Sequence, residues 1–170
     1  MNKDPQNYSY ENIKEMITNA KTSEAQQVGA LAYATGARVS ELISITRKDV
    51  KEDKDYMQIS CPVLKKRIVT TENSTRIALV RGDEDWLVVP IRELCVGKQP
   101  TDLLVPYYRT KVYRLLIKNF EFNPHFFRKL RATHLAQKGF TAHQLKHFFG
   151  WASVSPSDYY VRLNTDDLKY

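Results

Sequence analysis

The most restrictive stretch of this 170-residue chain is Val28-Gly29-Ala30-Leu31-Ala32-Tyr33-Ala34. At helical spacing it is apolar on every side, so it belongs in an interior with other elements packed around it. Ser23 and Gln26 have the spacing of a capping box, which starts this helix at Ser23. Gly36 ends it. A helix that must be surrounded needs several neighbours, and the chain is long enough to supply them from one domain without staples. Its composition, 42% hydrophobic and 26% charged, is that of a globular protein.

The neighbours follow from periodicity. Ser9 caps a first helix in which Tyr10, Ile13, Ile17 and Ala20 recur at helical spacing. A short helix after Gly36 puts Val39, Leu42 and Ile43 on one face. Around Tyr56 the period changes to two: Met57, Ile59 and Cys61 alternate with Gln58 and Ser60, as in a strand. Ile77 and Leu79 alternate with Arg76 and Ala78, and Trp86 to Pro90 reads as a third extended run. Helical spacing returns at Tyr108, Val112, Leu115 and Leu116. Asn123-Pro124 then sets a cap and a first helical residue, for a helix running to about Lys138 and stopped by Gly139. Thr141 and Gln144 form a second capping box, opening a helix that ends near Gly150. Ser155-Pro156 opens a last short helix with Tyr159 and Tyr160. The expected fold class is mostly α with a small antiparallel sheet of two or three strands (α+β). Which strands pair is left open. Residues 1–8 read as a linker or arm, 9–163 as the core and 164–170 as a short tail.

The net charge of +7 favours an anionic partner such as nucleic acid. Cys61 and Cys95 lack CxxC spacing, so neither a zinc site nor a disulfide is called for. No apolar run reaches the length of a membrane helix, and the N-terminus is too polar for a signal peptide. The expectation is a soluble intracellular protein.

Certain residues are not explained by packing. Arg38 follows the buried helix at the Gly36 turn. It is a surface residue, or one paired to Glu41 across a turn, or a guanidinium held where it can fork onto phosphate oxygens. His125 and Arg128 lie three apart on one helix face, in the first turn, where free N–H groups and the helix dipole favour an anion. Trp151 carries one indole donor, and Tyr160 lies nine residues further on.

In this order the segments ATGARVSEL, LKKR, PHFFRKLRATHL and FGWAS, followed by that Tyr, resemble the catalytic domain of tyrosine recombinases, the phage-integrase family. The family pattern is an Arg in an A-R-x-S-E-L box, a hairpin Lys, H-x-x-R, an L-G-H/W box and a Tyr nine residues on. The resemblance runs from Ala34 to about Leu163. It implies Tyr160 as the nucleophile, forming a 3′-phosphotyrosyl bond. It implies Arg38 and Arg128 as clamps on the non-bridging oxygens, Trp151 as a further hydrogen-bond donor and His125 as an aid to proton transfer. A hairpin Lys, Lys65 with Lys66 as the alternative, would protonate the leaving oxygen. No metal or other cofactor is implied.

The chain departs from the pattern in places. The hairpin holds Lys65, Lys66 and Arg67 rather than a tight G-K-x turn, and Lys129 stands where a His often follows the second Arg. Trp151 fits the L-G-H/W box better than His147, which lies thirteen before Tyr160. Tyr160 is preferred to Tyr159 on spacing, and because Tyr160-Val161-Arg162-Leu163 resembles the Y-V-H-L of archaeal-type integrases. The implied partners are a double-stranded DNA recombination site and other protomers in a tetrameric synapse, with a monomer when isolated. The family's N-terminal DNA-clamping domain is expected to be absent, since residues 1–22 are too short for it. Two other readings of the same residues are type IB topoisomerase-like relaxation and a DNA-binding module without catalysis.

Overall fold

The structure, a computed structural model, describes residues 3–64 and 75–166, with side chains to Leu163 at the C-terminal end. Three helices come first: α1 (Tyr10–Thr18), α2 (Ser23–Thr35) and the single turn α3 (Val39–Leu42). Strands β1 (Val50–Glu52), β2 (Tyr56–Pro62) and β3 (Thr75–Arg81) follow. Then come α4 (Asp85–Cys95), α5 (Arg109–Phe120), α6 (Pro124–Gln137), α7 (Ala142–Phe149) and α8 (Ser155–Asp166).

α2 is the central helix that its all-round apolar sequence demands. Every residue from Val28 to Thr35 is buried, and α1, α4, α5, α6 and β3 pack around it. Its cap is Thr22 rather than Ser23: the Thr22 hydroxyl accepts from the Ala25 amide. The Ser9 cap on α1, the Asn123 cap on α6 and the Thr141–Gln144 capping box on α7 all form as the sequence indicates.

The sheet is antiparallel in the order β1-β2-β3, with Ile59 opposite Val50 on one side and Ala78 on the other. Its inner face is Met57, Ile59 and Cys61 from β2 with Arg76, Ala78 and Val80 from β3. Ile77 and Leu79 face out. β3 thus turns an arginine into the protein and two large aliphatics toward solvent, the reverse of ordinary alternation.

The expected extended run Trp86–Pro90 is instead helical, inside α4. Leu87, Val88, Ile91 and Cys95 are buried there at helical spacing, against α2. A five-residue apolar window is too short to separate a strand from a buried helix, and a proline inside it counts against a helix on propensity alone. β1 is too short to have left a periodic signal. Lys65, Lys66 and Arg67 lie outside the described residues.

Candidate active site

The site gathers where the C-terminal ends of α2 and α7 meet the start of α6. Asn123 caps α6 through its side chain to the Phe126 amide at 2.8 Å, and Pro124 supplies the first helical residue. One turn on, Arg128 is buried. Its Nη1 donates to the Gly36 carbonyl at 2.7 Å and its Nη2 to the Phe149 carbonyl at 2.8 Å. One guanidinium therefore ties together the ends of α2 and α7, each a place where helix carbonyls lack intrahelical partners.

Both ends are shaped by glycine. Gly36 has φ 56°, and a Cβ there would lie 2.4 Å from the Phe149 ring. Gly150 has φ 66°, and a Cβ there would lie 2.9 Å from Val63 and 3.1 Å from the Arg76 side chain. Left-handed backbone and contact with a neighbour coincide at each, so only glycine fits without strain.

Two residues beyond Gly36, Arg38 starts α3. Glu41, fully buried, holds it twice: Oε2 accepts from the Arg38 amide at 3.0 Å and Oε1 from Nη1 at 3.1 Å. The Arg38 side chain keeps 27% of its surface exposed, against 1% for Glu41. The pairing to Glu41 and the outward presentation therefore hold together. Arg76 reaches the same place from β3: its Nη1 donates to the Phe148 carbonyl at 2.6 Å, and its Nη2 stands 3.8 Å from Glu41 Oε2. Burial, and then the neighbouring Arg38 and Arg76, push the Arg128 guanidinium down to about 9, while Glu41 and Tyr160 hold it up. At neutral pH it remains charged.

After Gly150 the chain presents Trp151, stacked on Phe149 with centroids 4.8 Å apart. The Tyr160 ring stacks on Trp151 almost parallel, at 5.9 Å and 3°. The Arg128 guanidinium lies 5.0 Å from the Phe149 ring and 5.6 Å from the Trp151 ring. Burial raises the Tyr160 phenol above its ordinary value, while the Arg128 charge opposes the rise. Tyr159 is 61% exposed and meets Tyr160 only edge-on. His147 is exposed in the last turn of α7, and His125 is exposed on the first turn of α6, one turn from the buried Arg128. Cys61, paired across the sheet with Arg76, has its thiol pushed up to about 11 by burial. It stays neutral and is not a competing nucleophile.

The structure thus brings Arg38, Arg128, Trp151 and Tyr160 to one locality, and His125 stands three residues before Arg128 on α6. From sequence Glu41 reads only as a partner of Arg38 across a turn, and Arg76 has no role. The sequence signal for Arg76 was faint: a charged residue in phase with Ala78 and Val80 rather than with Ile77 and Leu79.

Solved structures share this arrangement of elements. The crystal structure of XerA recombinase superimposes with TM-score 0.70 at 17% identity, covering 96% of this chain and 64% of that one. The catalytic domain of bacteriophage HP1 integrase does so with TM-score 0.62 at 17% identity, covering 95% and 90%. The fold is that of a tyrosine-recombinase catalytic domain. The family model described as "Phage integrase family" matches residues 7–167, and the chain belongs to that family. Tyrosine recombinase XerD of Corynebacterium glutamicum is 29% identical over 150 residues, which cover 82% of this chain and 48% of that protein. The chain spans about half the length of the curated relatives it matches.

Proposed function

We propose that the chain carries the strand-cleaving and rejoining chemistry of a site-specific DNA recombinase. The observation that carries this reading is the Tyr160 ring stacked on Trp151, whose ring lies 5.6 Å from the buried Arg128 guanidinium. The Tyr160 hydroxyl attacks the phosphorus of a DNA backbone phosphodiester. The bond to the 5′-oxygen breaks, and that oxygen leaves as a hydroxyl once protonated. DNA remains attached through a 3′-phosphotyrosine. Arg38 and Arg128 neutralise the non-bridging oxygens, where charge accumulates in the five-coordinate transition state. The Trp151 indole N–H donates to the same phosphate. His125 helps move the phenolic proton, and Lys65, or Lys66 beside it, protonates the leaving oxygen. In rejoining, the 5′-hydroxyl attacks the phosphotyrosine and the phenol is released with its proton. The covalent bond conserves the phosphodiester energy, so rejoining needs no nucleotide. The DNA is a double-stranded recombination site, bound by several protomers in a tetrameric synapse.

The raised phenol fits this scheme. A Tyr160 that stays protonated until phosphate and base are in place does not attack prematurely. The test is a nicked suicide DNA carrying the cognate site: the wild-type chain traps a covalent adduct and Tyr160→Phe does not. An adduct on Tyr159 would overturn the assignment. For the acid, Lys65→Ala slows cleavage, and a 5′-phosphorothiolate leaving group, which needs no proton, restores it. Failure of that rescue transfers the role to Lys66 or elsewhere.

A further inference from the structure

Arg76 is a buried cation for which the proposed chemistry has no use. Its side chain is 3% exposed. One of its donors is well placed, Nη1 on the Phe148 carbonyl. Its Nε and Nη2 are buried without a hydrogen-bond partner among the described residues. Leaving such groups unmatched is expensive, and a buried charge that is only part-satisfied calls for a reason. Among the described residues the carboxylate at hand is Glu41, and it is already engaged: both of its oxygens accept from Arg38, and Arg76 Nη2 stands 3.8 Å from Oε2. Three guanidinium groups, those of Arg38, Arg76 and Arg128, thus share one buried anion.

In the structure Arg38 Nη1 is bonded to Glu41 Oε1. With no phosphate bound, Arg38 is neutralised by Glu41. A phosphodiester that draws the Arg38 Nη1 outward removes one partner from a fully buried carboxylate, which would strongly oppose phosphate binding if nothing replaced it. Arg76 holds an unmatched N–H within one short shift of that carboxylate. We infer that Arg76 is a positioning residue that takes over Glu41 when phosphate draws Arg38 away. It lets Arg38 release its carboxylate while its anchor on the Phe148 carbonyl holds the end of α7 in place. Arg76 itself does not touch the phosphate. The inference rests on the reading of Arg38 as a phosphate clamp.

The experiment is a titration with inorganic phosphate at constant ionic strength, read by Trp151 emission in a Trp86→Phe background, where Trp151 is the sole tryptophan. Arg76→Gln keeps a donor for the Phe148 carbonyl but removes the charge. It is expected to weaken phosphate binding about tenfold, the weight of one charge-assisted hydrogen bond. Arg76→Lys keeps the charge and is expected to stay within about threefold of the parent. In a Glu41→Gln background, where no carboxylate needs a new partner, Arg76→Gln is expected to change affinity less than about twofold. Equal losses in both backgrounds, or a Lys variant as weak as the Gln variant, would reduce Arg76 to a cap on α7 and overturn the proposal. If Arg76→Gln does not fold, the Lys variant decides alone: a loss of about tenfold or more overturns it. A parent protein indifferent to phosphate defeats the clamp reading and this inference with it. A parent that responds, with Arg76 variants that do not differ from it, defeats only the inference. Neither result depends on Tyr160 chemistry.

Discussion

Arg128 acts at the residue scale as both fastener and proposed clamp. Its two bonds to the Gly36 and Phe149 carbonyls fix the guanidinium before any substrate arrives, which is what electrostatic stabilisation of a transition state requires. Arg128→Lys keeps a charge but loses the planar fork, so one of the two helix ends is left unmatched. It is expected to lower stability by about 1.5–3 kcal/mol, the weight of a hydrogen bond to a charged group, measured by urea unfolding, and to abolish adduct formation. Tyr160→Phe is expected to leave the unfolding midpoint nearly unchanged, because the ring stack on Trp151 survives, while the adduct disappears. The separation of the two readouts distinguishes a nucleophile from a packing residue. At this scale the sequence was informative wherever a residue type was odd for its place: Arg38 at a glycine turn, or Trp151 nine before Tyr160. Glu41 and Arg76 were opaque because their meaning lies in burial. An arginine in a strand looks the same in sequence whether it faces solvent or a carboxylate.

At the scale of elements, the site is made of helix ends rather than helix faces. The α2 and α7 termini must nearly touch for one side chain to bridge them, and Gly36 against Phe149 is the contact that allows it. Gly36→Ala is expected to destabilise through two separate effects. Left-handed backbone at a residue with a Cβ costs about 1–2 kcal/mol, and the clash with Phe149 adds about 1–3 kcal/mol of overpacking. Urea unfolding reads the sum. A cost below that of the backbone effect alone would show that Phe149 yields freely. Caps and stops of the helices were legible because they are local: Asn123-Pro124, Thr141 with Gln144, Gly36 and Gly150 each act within one turn. α4 was misread because its identity is not local. Its apolar residues become a helix face only against α2, which the five residues from Trp86 to Pro90 cannot reveal.

Over the whole molecule, a second polar network further along α6 joins the N-terminal segment to the core. His134 Nε2 donates to the Tyr8 carbonyl at 2.7 Å, so in the neutral ring Nδ1 accepts from the Tyr33 hydroxyl at 2.8 Å. Burial lowers the His134 proton affinity below its ordinary value of 6.5. The folded state therefore binds this proton less readily than the unfolded state. The resulting stability is present above pH 6.5 and is lost as pH falls through the depressed folded value. The urea midpoint is expected to decline from pH 7 toward pH 5, and His134→Gln to flatten that limb. The alkaline limb has the opposite sign. Burial raises Tyr33 to about 12 from its ordinary 10.0, so its contribution is present below pH 10.0 and is lost as pH rises through about 12. DNA binding by this basic chain (net charge +7) is expected to weaken steeply with salt, as phosphate contacts release counterions. A flat response in a filter-binding or anisotropy titration would count against a phosphate-dominated interface.

Sequence by itself determined the central helix, most helix boundaries and two of the three strands, because these depend on local spacing, capping and residue type; the residues proposed for the chemistry rest on the family resemblance of motifs in order. Tertiary structure alone decided which strands pair, that Trp86–Pro90 is helical and that Arg76 points inward. It also decided that Arg128 spends its donors on two carbonyls, and that Glu41 is shared among cations. Those outcomes depend on which surfaces exclude water from one another. A buried charge is defined by partners that lie 35 residues apart for Glu41 and Arg76, and 92 for Gly36 and Arg128. No local pattern carries information over that distance.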